Sequence, residues 1–299
     1  MTLVYATPLA FKQALEQRLR NQVAGDGEAL NRRRQLLIFD RFLARVISVF
    51  ADAVVLKGGL VLELRLERAR TTKDIDLRLV GDPNATLSSL QEAARLDLHD
   101  FLGFEVTPDK DHPDITNDGM QYRGLRFRAV CHLGGKPFGS SFGVDVAFAD
   151  PMLGEPDVIL ADDVLDFAGI APPTLRLYPI ETHIAEKLHA YTLPRKRMNS
   201  RVKDLPDLAL LASAGELNAD RVRRAIQQTF EHRKTHPAPT SLLAPPAAWA
   251  EPYKTIAEQD GLPWKDLDAV TLAARAFLDP LLAGSSWTTW SASTWTWGT

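Results

Sequence analysis

The sequence predicts an α+β fold, because helix and strand patterns alternate up to about residue 175 and nearly every apolar periodicity beyond it is helical. Leu133-Gly134-Gly135-Lys136-Pro137, set between two apolar runs, adds hairpin punctuation and so places antiparallel strands in the first part. The elements follow in order. Residues 8–24 and 28–50 are expected as helices, the second with Leu36, Leu37, Phe39, Phe42, Leu43, Val46 and Ile47 at i, i+3, i+4 spacing. Strand 53–57, helix 59–66, strand 75–80, helix 86–101 and strand 103–107 come next, then strands at 121–132 and 139–149. Helices at 179–192, 203–213, 218–231 and 263–283 complete the pattern, with the Pro/Ala-rich stretch 237–252 read as a loop. Ala171-Pro172-Pro173-Thr174 marks the join, giving an α+β domain over 1–175 and a helical domain over 176–284. Residues 285–299 hold four of the six tryptophans among Ser, Thr and Gly with little aliphatic content, so a flexible tail, or one that packs on a partner, is expected.

At 299 residues, with 45% hydrophobic and 24% charged side chains, the chain can bury a substantial core. No apolar run approaches the ~18 residues of a membrane span, and the first thirteen residues lack the plan of a signal peptide, so a cytoplasmic protein with no membrane partner is expected. Cys131 is alone, cannot form an internal disulfide, and is expected as a small buried apolar residue. The net charge of −3 argues against a protein that coats nucleic acid without selectivity, although local basic clusters remain.

Three acidic positions carry the chemistry. In Asp74-Ile75-Asp76 the strand period of two puts both carboxylates on one face, ~7 Å apart at the Cα, while Ile75 and Leu77 keep the core side. Two like charges so placed repel each other and call for a cation. Hard oxygen donors in this spacing suit Mg²⁺, which takes one or two carboxylates and fills its octahedron with water and phosphate oxygens. Asp145 interrupts the otherwise apolar run Phe142-Gly143-Val144-Asp145-Val146-Ala147-Phe148 and is a third candidate ligand. Upstream, Gly58-Gly59 stands between a strand and a helix, where bare backbone lets a phosphate approach the positive end of the helix dipole. Alone, either motif has a structural reading: a strand edge whose acids pair with Lys73, Arg78 or water, and a tight turn.

The stretch from Lys57-Gly58-Gly59 to Thr72-Lys73-Asp74-Ile75-Asp76 resembles the signature of the nucleotidyltransferase superfamily that includes DNA polymerase β. More narrowly, the chain is similar to the AbiEii toxin family, which includes the MenT toxins. That likeness rests on the lysine before the glycines, the hydroxyl-x-Asp-x-Asp form, and two later motifs, Ile184-Ala185-Glu186-Lys187-Leu188-His189-Ala190 and Arg201-Val202-Lys203-Asp204-Leu205-Pro206-Asp207-Leu208. The resemblance implies a mixed sheet flanked by helices, followed by an all-helical lobe. It implies Asp74 and Asp76 as metal ligands with Asp145 as the third, and Gly58 and Gly59 as the triphosphate cradle with Lys57 beside them. Lys187 would reach the β- and γ-phosphates as a point charge, Asp204 would position the nucleotide, and Thr72 would hydrogen-bond a phosphate oxygen. A phosphate placed on Thr72 would repel an incoming nucleotide. His189 is expected as a satisfied helix histidine.

For the acceptor, Arg195, Lys196, Arg197, Arg201 and Lys203 form a basic stretch between two helices, Arg65, Arg68 and Arg70 a second, and Arg123, Arg126 and Arg128 alternate along one strand face. Such clusters suit a phosphodiester backbone. The family likeness implies transfer of a nucleoside monophosphate from an NTP to the 3′ end of tRNA, with Mg²⁺ or Mn²⁺, in a toxin countered by an AbiEi-like antitoxin. A small-molecule or protein acceptor, and a catalytically silent nucleotide-binding subunit, are the alternatives.

Overall fold

The structure, a computed structural model, describes residues 4–66, 72–115, 124–148, 150–195 and 201–299. Helix α1 (Pro8–Asn21) starts where the Thr7 hydroxyl accepts from the Ala10 N–H at 3.2 Å, with Pro8 in the first turn. Helix α2 (Gly27–Phe50) is capped by Asp26, which accepts from Glu28 and Ala29, and buries Leu37, Ile38, Phe39, Phe42, Leu43 and Val46. Strand β1 (Val54–Lys57) runs directly into helix α3 (Gly58–Arg65). Strand β2 (Asp74–Leu79) and helix α4 (Thr86–Arg95) follow, then β3 (Leu102–Pro108), β4 (Asp114–Ile115), β5 (Gly124–Leu133), β6 (Lys136–Pro137) and β7 (Phe142–Phe148).

Besides the two-residue strands β4 and β6, the large sheet gains two strands absent from the expected list: β8 (Asp157–Leu160) and β9 (Thr174–Leu177). The order is β3-β5-β7-β2-β1-β9-β8, with β4 and β6 paired to β5. Pairs β2·β7 and β1·β9 are parallel and the other pairs are antiparallel, so the sheet is mixed. The Pro172-Pro173 join leads straight into β9, which hydrogen-bonds beside β1.

The second part holds α5 (Ile180–Thr192), α6 (Asp204–Ala212), β10 (Leu217–Asn218), α7 (Ala219–Arg233), α8 (Ala250–Gln259), α9 (Leu267–Leu282), β11 (Thr289–Ser291) and β12 (Thr296–Gly298). Helix α8 begins at the end of the stretch expected as loop. The tail is folded: β12 pairs with β11, which pairs with β10. The indoles of Trp290, Trp295 and Trp297 donate to the carbonyls of Ala212, Ala273 and Phe277 at 2.7, 3.1 and 2.8 Å. The expectation of a flexible tail weighed aliphatic content, whereas each tryptophan brings ~150–250 Å² of apolar surface and a donor that finds a helix carbonyl.

Helix α4 also stops earlier than its pattern suggested. Asp100 is fully buried in the forks of Arg41 and Arg45, with Arg45 Nη2 at 2.7 Å and Arg41 Nε at 2.8 Å, and the chain around it takes left-handed φ at His99 and Phe101. Buried charge pairing here overrides helical periodicity. Cys131 lies in the core, where burial pushes its thiol up to about 12.

Two apolar cores result, one between α1, α2, α4 and the sheet, the other among α5–α9 and the tail strands. Helix α3 faces both: Leu60 and Val61 join the first core, Leu62 the second. The helix that opens with the glycine pair is therefore clamped between the two parts.

Candidate active site

Strand register builds the site. Lys57 on β1 is the partner of Asp76 on β2, Asp76 the partner of Asp145 on β7, and Asp145 the partner of Arg126 on β5. Paired residues share a face, so one row across four strands reads Lys57, Asp76, Asp145, Arg126. All four side chains line a cleft of about 420 Å³, along with Gly58, Gly59, Thr72, Asp74, Lys187, Arg195, Arg201 and Asp204. The sheet contributes the acids and α5 and α6 contribute the opposite wall.

Two glycines make room for the first two carboxylates. Gly58 takes φ +71°, and a Cβ there would lie 2.5 Å from the Asp76 Cγ and 2.8 Å from its Cβ. Gly143, the register partner of Asp74, would put a Cβ 2.6 Å from Asp74 Oδ1; its own N–H donates to that oxygen at 3.2 Å. The glycine pair thus serves the acid motif as well as any phosphate. Burial first, and Asp145 second, push the Asp76 carboxyl up to about 6, against the pull of Lys57 and Lys187.

Asp145 faces the same side as Asp76, but both its oxygens are taken: Arg126 Nε and Nη2 donate to Oδ1 and Oδ2 at 2.8 and 2.7 Å. Among the described residues no three acidic, histidine or cysteine side chains gather closely enough to hold an ion unaided. The residues still fit Mg²⁺ in its usual mode, in which one or two carboxylates suffice and substrate phosphates complete the shell. Asp74 and Asp76 supply those two. Their like charges, the raised Asp76 carboxyl and the side-chain-free backbone beside each are the features that suit a cation there.

Lys57 does not point into open cleft. Its ammonium donates to Asp150 and to Glu186 Oε1, the latter at 3.0 Å, and lies 5.2 Å from the Tyr178 ring centre. Arg233 Nη2 reaches the same Glu186 oxygen at 2.9 Å, and Tyr178 donates to Pro151 O at 2.6 Å. Burial opposes the Lys57 charge, yet Asp150 and Glu186 hold the ammonium above its ordinary range. This network ties β1, the segment after β7, α5 and α7 together beneath the glycines. Sequence reading missed Asp150 and Arg233. Asp150 had a weak signal, an acid two residues past an apolar strand; Arg233 had none, being the last residue of an amphipathic helix.

Lys187 meets the first turn of α6, with Asp204 Oδ1 at 3.1 Å and Asp207 Oδ2 at 2.7 Å; Arg201 lies 3.9 Å from Asp204. The two later motifs are thus one ion-paired unit. The Thr72 hydroxyl donates to Asp74 O at 3.4 Å, and the Thr72 carbonyl accepts from Arg32 at 2.7 Å. His189 is satisfied by Thr235 at 2.8 Å and Arg233 at 3.2 Å. His183 is 1% exposed and its ring nitrogens find no hydrogen-bond partner among the described residues; burial, then Lys187, pushes it down to about 3.

The basic clusters divide. Arg195 and Arg201 line the cleft; Lys203 stands outside it, at the residue before α6. Lys196, Arg197, Arg68, Arg70 and Arg123 lie outside the described residues. Arg65 pairs with Asp157, Arg126 with Asp145 and Arg128 with Asp109 at 3.6 Å. Arg65, Arg126 and Arg128, expected to call for an external anion, are met by the chain's own carboxylates.

Residues 41–279 match the model of the family described as nucleotidyl transferase AbiEii toxin, type IV toxin–antitoxin system. Among solved structures the fold is similar to MenT4, a nucleotidyltransferase toxin from Mycobacterium tuberculosis H37Rv, at 19% identity over 75% of each chain with a TM-score of 0.53. JHP933 from Helicobacter pylori matches at 17% identity over 84% of this chain and 92% of that one, with a TM-score of 0.46. No curated protein matches in sequence.

Proposed function

The chain belongs to the AbiEii family of nucleotidyltransferase toxins of type IV toxin–antitoxin systems, and from that premise we propose that it transfers a nucleoside monophosphate from an NTP to the 3′ end of tRNA. The observation that carries the reading is the register row that sets Asp76 and Asp145 side by side, beside Asp74 and under the glycine turn, in a cleft walled by Lys187.

Asp74 and Asp76 would hold Mg²⁺ or Mn²⁺, which when bound neutralises phosphate charge and lowers the barrier to in-line displacement at phosphorus. The first N–H groups of α3 have no intrahelical acceptor, so Gly58 and Gly59 offer them to the triphosphate at the positive end of the helix. Lys187 adds a compact cation across the cleft, and Asp204 and Asp207 fix where its ammonium stands. Thr72 stands beside Asp74 with a hydroxyl able to donate to a phosphate oxygen. Lys57, held by Asp150 and Glu186, keeps the strand-to-helix turn rigid beneath the phosphates. In the transfer the acceptor's terminal ribose hydroxyl gives up its proton to solvent and its oxygen bonds to the α-phosphorus as the bond to pyrophosphate breaks. Arg195 and Arg201 at the cleft, in one stretch with Lys196, Arg197 and Lys203, would hold the RNA backbone, so binding should weaken as salt rises. An AbiEi-like antitoxin encoded nearby is the expected partner. Among the described residues no helix is long and apolar enough to cross a membrane.

The test is incubation of the protein with tRNA, Mg²⁺ and each labelled NTP in turn. Label at the 3′ end of tRNA is expected with at least one nucleotide. Absence of label on RNA with all four, beside an active control enzyme, overturns the proposal, and label on protein or on a small molecule moves it to a different acceptor.

A further inference from the structure

Of the three carboxylates in the row and its flank, Asp145 is the one already neutralised. The Arg126 fork takes both oxygens in the planar, two-pronged arrangement that guanidinium also uses on phosphate. While that fork is in place it occupies one lone pair on each Asp145 oxygen and cancels the charge that would draw a divalent cation. The fork is not buried: the Arg126 side chain is 37% exposed and that of Asp145 20%. A bidentate fork is the strong form of ion pair, but one that water reaches is screened, and a long side chain at a cleft wall can leave it for another anion without disturbing the core. What the pair does in place is also clear. Asp76 and Asp145 are directly opposed like charges on adjacent strands, an arrangement that is destabilising unless compensated, and Arg126 is the compensation built into the chain.

We propose that Arg126 is an exchangeable counter-ion: it holds Asp145 until a triphosphate competes for its guanidinium, so that Asp145 joins Asp74 and Asp76 as a metal ligand only when metal and nucleotide arrive together. The inference rests on the metal-site reading given above and adds an order of events to it. Metal alone meets two carboxylates and binds weakly. Nucleotide gives the fork a second anion of the same geometry, and the third carboxylate is released as the charge it repels is being neutralised. The released guanidinium then stays with the phosphates and helps to orient them.

The experiment is a Mn²⁺ titration of the full chain without nucleotide, followed by the paramagnetic resonance signal of free Mn²⁺, for wild type, Arg126→Gln, Arg126→Gln with Asp145→Asn, and Asp74→Asn. Arg126→Gln should bind Mn²⁺ about two- to five-fold more tightly than wild type, the range expected from freeing a partly exposed ion pair, and the added Asp145→Asn should remove the gain. Unchanged affinity in Arg126→Gln overturns the inference, and if Asp74→Asn abolishes binding in the same series the metal site itself stands. Binding that Asp74→Asn leaves unaltered removes the metal-site reading. Should Arg126→Gln lose its fold by circular dichroism, Arg126→Lys keeps the charge without the fork; it should show a smaller gain, and no gain overturns the inference.

Discussion

Gly58→Ala attacks the site with a single methyl group. Two effects add. The residue sits at φ +71°, where an alanine costs about 1–2 kcal/mol. The new Cβ would also overlap the Asp76 side chain, 2.5 Å from Cγ and 2.8 Å from Cβ, against the ~3.5–4 Å of ordinary contact. Asp76 cannot slide along its strand, because its neighbours in the row are fixed by register, so its carboxylate must rotate away or the turn must open. Either route adds about 1–3 kcal/mol, as overpacking does. The total, about 2–5 kcal/mol, should appear in denaturant unfolding of the purified variant. Nucleotide transfer should fall by at least about a hundred-fold, the factor that ~2.7 kcal/mol of lost transition-state stabilisation gives. The double variant Gly58→Ala with Asp76→Gly separates the effects: it removes the overlapping Cβ as well as the carboxylate and should leave only the backbone cost of about 1–2 kcal/mol relative to Asp76→Gly alone. A Gly58→Ala protein with wild-type stability and transfer within about three-fold of wild type would refute the claim that this glycine exists to admit the acid.

Two further perturbations test the frame around the site. Trp290 is fully buried with its indole donating to Ala212 O, so Trp290→Ala should cost about 3–5 kcal/mol in denaturant unfolding, whereas a tail that is not part of the fold would show almost none. Burial, then Asp162, pushes the Asp40 carboxyl up to about 7 against Arg41, so the folded state holds more protons than the unfolded state between about pH 4 and 7. That contribution is present in full at low pH and is lost as pH rises through 7. Asp40→Asn should therefore flatten the fall in stability between pH 5 and 8 by on the order of 2–3 kcal/mol; parallel pH profiles for the two proteins would contradict it.

The family, the α+β class and the gathering of the motifs were legible in the chain because they rest on local pattern. A period of two puts Asp74 and Asp76 on one face whatever the rest of the protein does, and a glycine pair after an apolar strand marks a turn into a helix. Asp145 stood out as the one acid in an apolar strand, and the register sets it beside Asp76. What the sequence could not reveal is which charges meet. Lys57 and Glu186 lie 129 residues apart and Lys57 and Asp150 lie 93 apart, and neither pairing leaves a trace in spacing. The arginines on the β5 face read as anion seekers because their partners belong to other segments. Helix α4 ended early for the same reason, ahead of Asp100, which two arginines from α2 claim. The tail shows the converse error: its composition is poor in aliphatics, but three indoles found carbonyls and apolar surface that exist only once α6 and α9 are packed. Pattern along the chain fixes which face a side chain takes. Its charge partner and the shape of the surface that receives it are settled through space, by register and packing.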